Sequence, residues 1–302
     1  MKNQFLFILL IFCVLSSRAQ DTLSNEAKVR RNVGIALGTE AALYAATMTG
    51  LYFTWYSDYP PSSFHFFNDN AEWMQMDKGG HCLAAYLIGK GGYEAMRATG
   101  LDENRSIWLG GTLGIVFQTS IEIFDGFSQG WGFSWGDMAA NTIGNGLFIG
   151  QQLLWHEQRI SLKYSFHPTK FPQYNPELLG SNFLKQIIKD YNGQTFWASF
   201  NIKSLLLDKE SRFPAWLNFA FGYSATGMTG RFENVTEYNG APIPQFDRTR
   251  QLYFSFDVDF TKIPTNSNFL KYTFKVLNCF KLPFPAIEYN TQGNWIWHWL
   301  YF

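Results

Sequence analysis

The chain has 302 residues, with 24 basic and 24 acidic side chains and therefore no net charge at neutral pH. That balance gives no electrostatic reason to expect nucleic acid or a strongly anionic surface as a partner, and it argues against basic-patch functions. Aromatic residues make up 19% of the chain and charged residues only 16%, against roughly 25% charged in ordinary globular chains. Much of the surface is therefore expected to meet something less polar than water.

The first element is an export signal. Lys2 precedes an unbroken apolar run over residues 5–15, and Ser17 and Ala19 put small residues at the −3 and −1 positions before Gln20. This reads as a cleavable secretory signal peptide over residues 1–19, with cleavage after Ala19. The run is too short for a spanning helix, which needs roughly 20 residues. Cys13 follows Leu10-Ile11-Phe12, without the small residues of a lipidation site, so the mature chain is expected to be non-lipidated. Cys82 and Cys279 remain and allow at most one disulfide.

Three long, nearly uncharged stretches follow. Residues 33–56 hold one charge, Glu40; residues 107–124 hold only Glu122; residues 138–155 hold none. They contain Gly34-x-x-x-Gly38, Gly110-x-x-x-Gly114 and Gly146-x-x-x-Gly150, a spacing that predicts close approach of helix backbones. Membrane-spanning helices and a fully buried soluble bundle both fit. The aromatic loop over residues 52–67 suits either a membrane interface or core packing.

Beyond Trp155 the period changes to alternation: Ile160, Leu162, Tyr164 and Phe166 alternate with polar residues, as do Leu252, Phe254, Phe256 and Phe260. Residues 196–204 and 217–223 repeat the pattern, and 286–290 and 295–302 are shorter candidates, giving about six strands, with helices near 176–191 and 268–279. The expected fold class is α+β: a Gly-rich helical bundle over residues 20–157, then an antiparallel β-region over 158–302. Its strand length, aromatic content and terminal Phe302 suit an outer-membrane barrel, although six strands fall short of the usual minimum of about eight.

Three polar clusters lie in the helical half. Asp77-Lys78-x-x-His81 opens a helix and puts Asp77 and His81 on one face, where the carboxylate can fix the imidazole tautomer. Glu122 and Asp125 close the second apolar stretch, and Ser134-x-x-Asp137 leads to Asn141 and Gly144. His81, Glu122, Asp125 and Asp137 form a candidate ligand set for a divalent metal; with Asp77 they equally form a candidate catalytic acid–base set. Each cluster also has a structural reading. Asp77 can be an N-cap, Ser134-x-x-Asp137 a capping box, Asn141 and Glu122 interhelical hydrogen-bond partners, and Lys78 an ion-pair partner of any of the carboxylates. His65, His156, His167 and His298 read as structural. Cys82 points about 100° around the helix from His81 and so is not expected to share a ligand with it.

The order Asp-Lys-x-x-His, Glu-x-x-Asp, Ser-Trp-x-Asp and a following Asn and Gly resembles the YfiM-type family of predicted periplasmic lipoproteins (DUF2279), a domain of unknown function. The resemblance covers roughly residues 70–156, and its recurring polar positions fall on Asp77, Lys78, His81, Glu122, Asp125, Ser134, Asp137, Asn141 and Gly144. A looser likeness links the same stretch to VanZ-like membrane proteins, and the aromatic tail resembles longer family members of Bacteroidetes-like envelopes. Short family members carry a lipobox that this chain lacks. Together these imply an envelope protein of the outer membrane or periplasm, serving assembly or integrity without catalysis. The alternatives are a metal- or acid/base-dependent hydrolase or transferase acting on envelope lipid or glycan, and a small-molecule or ion binding protein. Membrane or membrane-associated envelope components are the expected partners, with a lipid or small molecule as candidate ligand and a divalent metal as candidate cofactor.

Overall fold

The computed structural model describes residues 25–57, 59–208 and 210–302; the expected signal segment lies outside the described residues. The helical half consists of α1 (Asn25–Leu51), which runs on into a π turn (Tyr52–Tyr56), then α2 (Met76–Ala98), α3 (Glu103–Leu109), α4 (Leu113–Gly126) and α5 (Trp135–Trp155). Side-chain caps set two of the starts: Asp102 accepts from the Arg105 N–H before α3, and Ser134 from the Asp137 N–H before α5. The stretch expected as one helix over 107–124 is two, broken at residues 110–112, where two glycines and a threonine have low helix propensity.

Small residues decide how these helices meet. A β-carbon on Gly110 would clash with the backbone of Gly92, one on Gly114 with the Ala85 carbonyl, and one on Gly144 with the Cys82 carbonyl. Thus α2 lies backbone-to-backbone against the α3–α4 junction on one side and α5 on the other. The other two Gly-x-x-x-Gly pairs do not act this way, because Gly34, Gly38, Gly146 and Gly150 have nothing within 4 Å of such a carbon. The motif permits close approach; only a facing helix makes use of it.

The second half forms β1 (Ile160–Phe166), α6 (Pro176–Leu179), α7 (Phe183–Lys189), β2 (Gln194–Asn201), α8 (Ile202–Leu206), β3 (Leu217–Thr226), the short hairpin β4 (Glu237–Tyr238) and β5 (Ala241–Pro242), β6 (Thr249–Val258), α9 (Asn268–Leu277), β7 (Phe284–Asn290) and β8 (Trp295–Tyr301). Six of these strands make one antiparallel sheet in the order β1-β2-β3-β6-β7-β8. It is a meander, with the six strands expected from alternation, and among the described residues it does not close into a barrel. The edge of β1 is covered by the chain before β7: the Tyr164 N–H donates to the Cys279 carbonyl at 3.0 Å and the Lys281 N–H to the Tyr164 carbonyl at 2.9 Å. Cys82 and Cys279 are free thiols.

The sheet is polar inside and apolar outside. On the inner face Lys163 and Asp257, both with 0% side-chain exposure, pair at 2.7 Å, and Ser199 Oγ donates to the same carboxylate at 2.6 Å. Glu288 accepts from Tyr253 and Gln251, each at 3.0 Å, and lies 2.8 Å from His298 Nε2. The Trp197, Tyr253 and Tyr301 rings fill the space between. On the outer face Phe221, Leu252, Phe254, Phe256, Tyr289 and Trp297 are exposed.

The helices cover β1, β2 and the Tyr223 end of β3 on that outer face. Phe196 packs on Gly79, the Tyr86 hydroxyl donates to the Ile160 carbonyl at 3.3 Å, and Tyr223 to the Met74 carbonyl. Before α2 the chain makes a left-handed turn, Trp73, Met74 and Gln75 having φ of 45°, 53° and 68°. Such a conformation costs roughly 1–2 kcal/mol per residue. It is held because Trp73 and Met74 are buried with Phe171, Leu179, Ala225 and Met228, and because Arg250 donates to Gln75 at 2.7 Å.

Gly144→Val should destabilise the chain by about 2–3 kcal/mol through overpacking. Gly146→Ala should leave it unchanged or stabilise it by up to about 1 kcal/mol. Thermal unfolding followed by circular dichroism checks both.

Candidate functional site

Three helices deliver the polar residues to one place. α2 contributes Asp77, Lys78 and His81 from its first two turns; α4 contributes Gln118 and Glu122, four apart on one face; the start of α5 contributes Ser134, Asp137 and Asn141. Asp69 joins them from the loop before α2. The close helix packing at Gly114 and Gly144 lets side chains this short reach one another.

The Lys78 ammonium lies 2.7 Å from Asp69 Oδ1, 2.8 Å from Asp137 Oδ1 and 3.2 Å from Asp77 Oδ2. The His81 ring stands between two groups of acceptors. Its Nε2 faces Asp77 Oδ1 at 3.8 Å and Asp137 Oδ1 at 3.7 Å; its Nδ1 faces Asn141 Oδ1 at 3.2 Å and Glu122 Oε1 at 3.5 Å. Gln118 Nε2 is 3.3 Å from Nδ1, but its amide protons have acceptors in Asn141 Oδ1 at 3.2 Å and the His81 carbonyl at 3.4 Å. The Nδ1 proton therefore points to Asn141 Oδ1, which in the neutral ring leaves Nε2 as the lone-pair nitrogen.

Burial dominates the electrostatics. It pushes the Glu122 carboxyl up to about 8 against the attraction of His81. It likewise raises Asp137 to about 9, reinforced by Asp77 and opposed by Lys78. Burial also works to raise Asp69, but hydrogen bonds from Asp137, Lys78 and Ser134 outweigh it and hold that carboxyl below its ordinary range. For Lys78 burial works downward, and the surrounding carboxylates more than offset it, so the ammonium stays charged. Asp69 and Asp137 thus behave as an ionised and a protonated partner around one lysine.

Of the expected residues, Asp77, Lys78, His81, Glu122, Ser134, Asp137 and Asn141 come together. Asp125 does not join them: its Oδ1 accepts from the Tyr56 hydroxyl at 2.6 Å, because three residues of helix turn it toward the π turn. Burial raises its carboxyl to about 7, with the Tyr56 hydrogen bond opposing. Asp77 is not the N-cap of α2; Gln75 holds that place without a side-chain bond, and Asp77 accepts from Tyr191 at 3.0 Å. Ser134 caps α5, but the reciprocal half of the capping box is supplied by Glu122 Oε2, which accepts the Ser134 N–H at 3.1 Å. Sequence reasoning missed Gln118, Asp69 and Tyr191. Gln118 had a signal, its spacing of four from Glu122; Asp69 in a loop and Tyr191 in the distant β-region had none. The aromatic loop packs on the turn between α4 and α5, Tyr59 against Trp131 and Phe64 against Phe127. The other histidines lie away from the centre: His65 bonds the Trp131 carbonyl, His156 pairs with Glu103 and His298 with Glu288.

Asp125 offers a pH test. A carboxyl raised to about 7 in the fold but ordinary when unfolded holds a proton that the unfolded chain has released, so its contribution falls as pH rises from about 4 to about 7. Asp125→Asn should therefore flatten the decline in melting temperature over that window.

No curated protein and no solved structure matches the chain. Residues 65–150, which hold every helix-borne member of the centre, match the family model described as predicted periplasmic lipoprotein (DUF2279), the family that the residue pattern resembles, and the match supports an envelope or periplasmic location.

Proposed function

We propose that this is an outer-membrane envelope protein with a structural or assembly role. Its β-region is seated in the bilayer by the outer face of its sheet, and its helical half is fixed in one arrangement by the polar centre. The observation that carries this reading is the inverted polarity of the sheet. A soluble sheet buries its apolar side chains and wets its polar ones, whereas here Lys163, Asp257 and Glu288 are enclosed while Phe221, Phe254, Phe256 and Trp297 face outward. Lipid-embedded strands have that arrangement. Trp295 and Trp299, the most exposed tryptophans of β8, suit the interface between bilayer and water. The helices are not assigned to the membrane. Among the described residues Glu103–Gly126 alone is long and apolar enough to cross one, and it is broken at residues 110–112 and carries the buried Glu122.

Full-length chain folded into phosphatidylethanolamine–phosphatidylglycerol vesicles should float with them, and brominated lipid should quench Trp295, Trp297 and Trp299, a quenching much reduced when all three are replaced (Trp295→Phe, Trp297→Phe, Trp299→Phe). Phe254→Arg should reduce insertion by about 2–4 kcal/mol if that side chain sits near the bilayer midplane. A chain that stays in the aqueous fraction with unquenched tryptophans would refute the assignment.

A second reading is favoured by the convergence of Asp77, His81 and Asp137: a hydrolase or transferase acting on envelope lipid or glycan, with His81 as base and Asp77 orienting it. The two readings separate on His81→Ala. For a structural centre the melting temperature falls; for a catalytic one it holds while the cellular phenotype is lost.

A further inference from the structure

Three ligand-type atoms at the centre face one another, with the Tyr191 hydroxyl donating to Asp77 Oδ1 from one side at 3.0 Å and the Lys78 ammonium 2.8 Å from Asp137 Oδ1 on another. His81 Nε2, Asp77 Oδ1 and Asp137 Oδ1 all lie within 4.8 Å of one another, and the two nitrogen-to-oxygen separations of 3.8 and 3.7 Å are too long for hydrogen bonds. They are close to the edges of a coordination sphere, since four ligands about 2.1 Å from an ion sit about 3.4 Å apart. We propose that Asp77, His81 and Asp137 bind one divalent transition-metal ion of the zinc type, His81 through Nε2 and each aspartate through Oδ1.

Two independent observations support a ligand here. Glu122 is wholly buried, its Oε1 accepts no hydrogen bond, and that oxygen stands 3.5 Å from His81 Nδ1. A carboxylate behind the far nitrogen of an imidazole is the arrangement that orients a metal-binding histidine and raises its basicity. Asp137 Oδ1 is also buried without a directed hydrogen bond, its contact with Lys78 being one of charge.

The charge inventory agrees. Asp69, Asp77, Asp137 and Glu122 oppose one permanent cation, Lys78. Lys78 keeps its place on Asp69 and on the other oxygen of Asp77; its contact with Asp137 is the one the ion weakens. Asp77 and His81, with 19% and 16% of their side chains exposed, give the ion a route in. One imidazole and two carboxylates suit zinc or manganese better than calcium, which takes six to eight oxygens. Asp125, turned to Tyr56, is not a ligand.

The inference is independent of membrane seating, and its test reads out separately. Full-length protein stripped with a chelator is titrated with Zn²⁺ by calorimetry and with Co²⁺ by absorption spectroscopy. The expected result is one ion per chain and a tetrahedral Co²⁺ spectrum. His81→Gln and Asp137→Asn should each weaken binding at least about tenfold, and Glu122→Gln about 10–100-fold, the usual effect of an outer carboxylate. Glu72→Gln, whose partner is Arg231, should bind as wild type. Circular dichroism checks that each variant is folded, and Asp77→Asn replaces any that is not. Absence of saturable binding, or binding unchanged in folded His81→Gln or Asp77→Asn, overturns the proposal.

Discussion

The Lys78 ammonium holds carboxylates from three separate stretches of chain: Asp69 in the loop before α2, Asp77 beside it, and Asp137 at the start of α5. Each of these is largely withdrawn from water, where an unpaired charge is costly and loss of one partner leaves the others exposed to that cost. The lysine therefore sets how α2 lies against α5. That placement sets the distance from His81 to Asp137, and with it the environment of Glu122 on α4. The glycines are the steric half of the same constraint: at Gly144 and Gly114 the backbones touch, and only so do side chains as short as aspartate and asparagine meet across three helices.

The sheet solves a related problem in a different solvent. Its inner face carries charges that take their partners from within the sheet: Lys163 pairs with Asp257 and donates to the Val258 carbonyl, Asp257 also accepts from Ser199, and Glu288 is held by Tyr253, Gln251 and His298. Its outer face asks for an apolar surrounding, which α2 provides over β1, β2 and one end of β3. Helical and β halves are thus complementary, one supplying apolar cover and the other a platform.

Much of this is legible in the sequence, for identifiable reasons. The six strands follow from alternation, and Asp77 and His81 share a helix face by spacing alone. Alternation, however, sorts residues into two sets without saying which set faces inward, so the enclosure of Lys163 is visible only in three dimensions. Gly34-x-x-x-Gly38 and Gly110-x-x-x-Gly114 read identically, yet only the second meets a partner. Asp125 looks equivalent to Glu122, but the rotation between residues three apart carries it to Tyr56. Asp69 and Tyr191 are supplied by a loop and by a segment 114 positions from Asp77, distances over which local pattern carries no information.

The left-handed turn at Trp73, Met74 and Gln75 has a consequence for the order in which the molecule is built. It places Asp77 and Lys78, yet the groups that hold it, Phe171, Tyr223, Arg231 and Arg250, come from the β-region, with contacts spanning up to 175 positions. A ribosome delivers α2, α4 and α5 before any of those residues exists. The contacts that hold the turn, and with it Asp77 and Lys78, thus close only across long loops of chain, which couples the centre to the long-range strand pairing of the sheet.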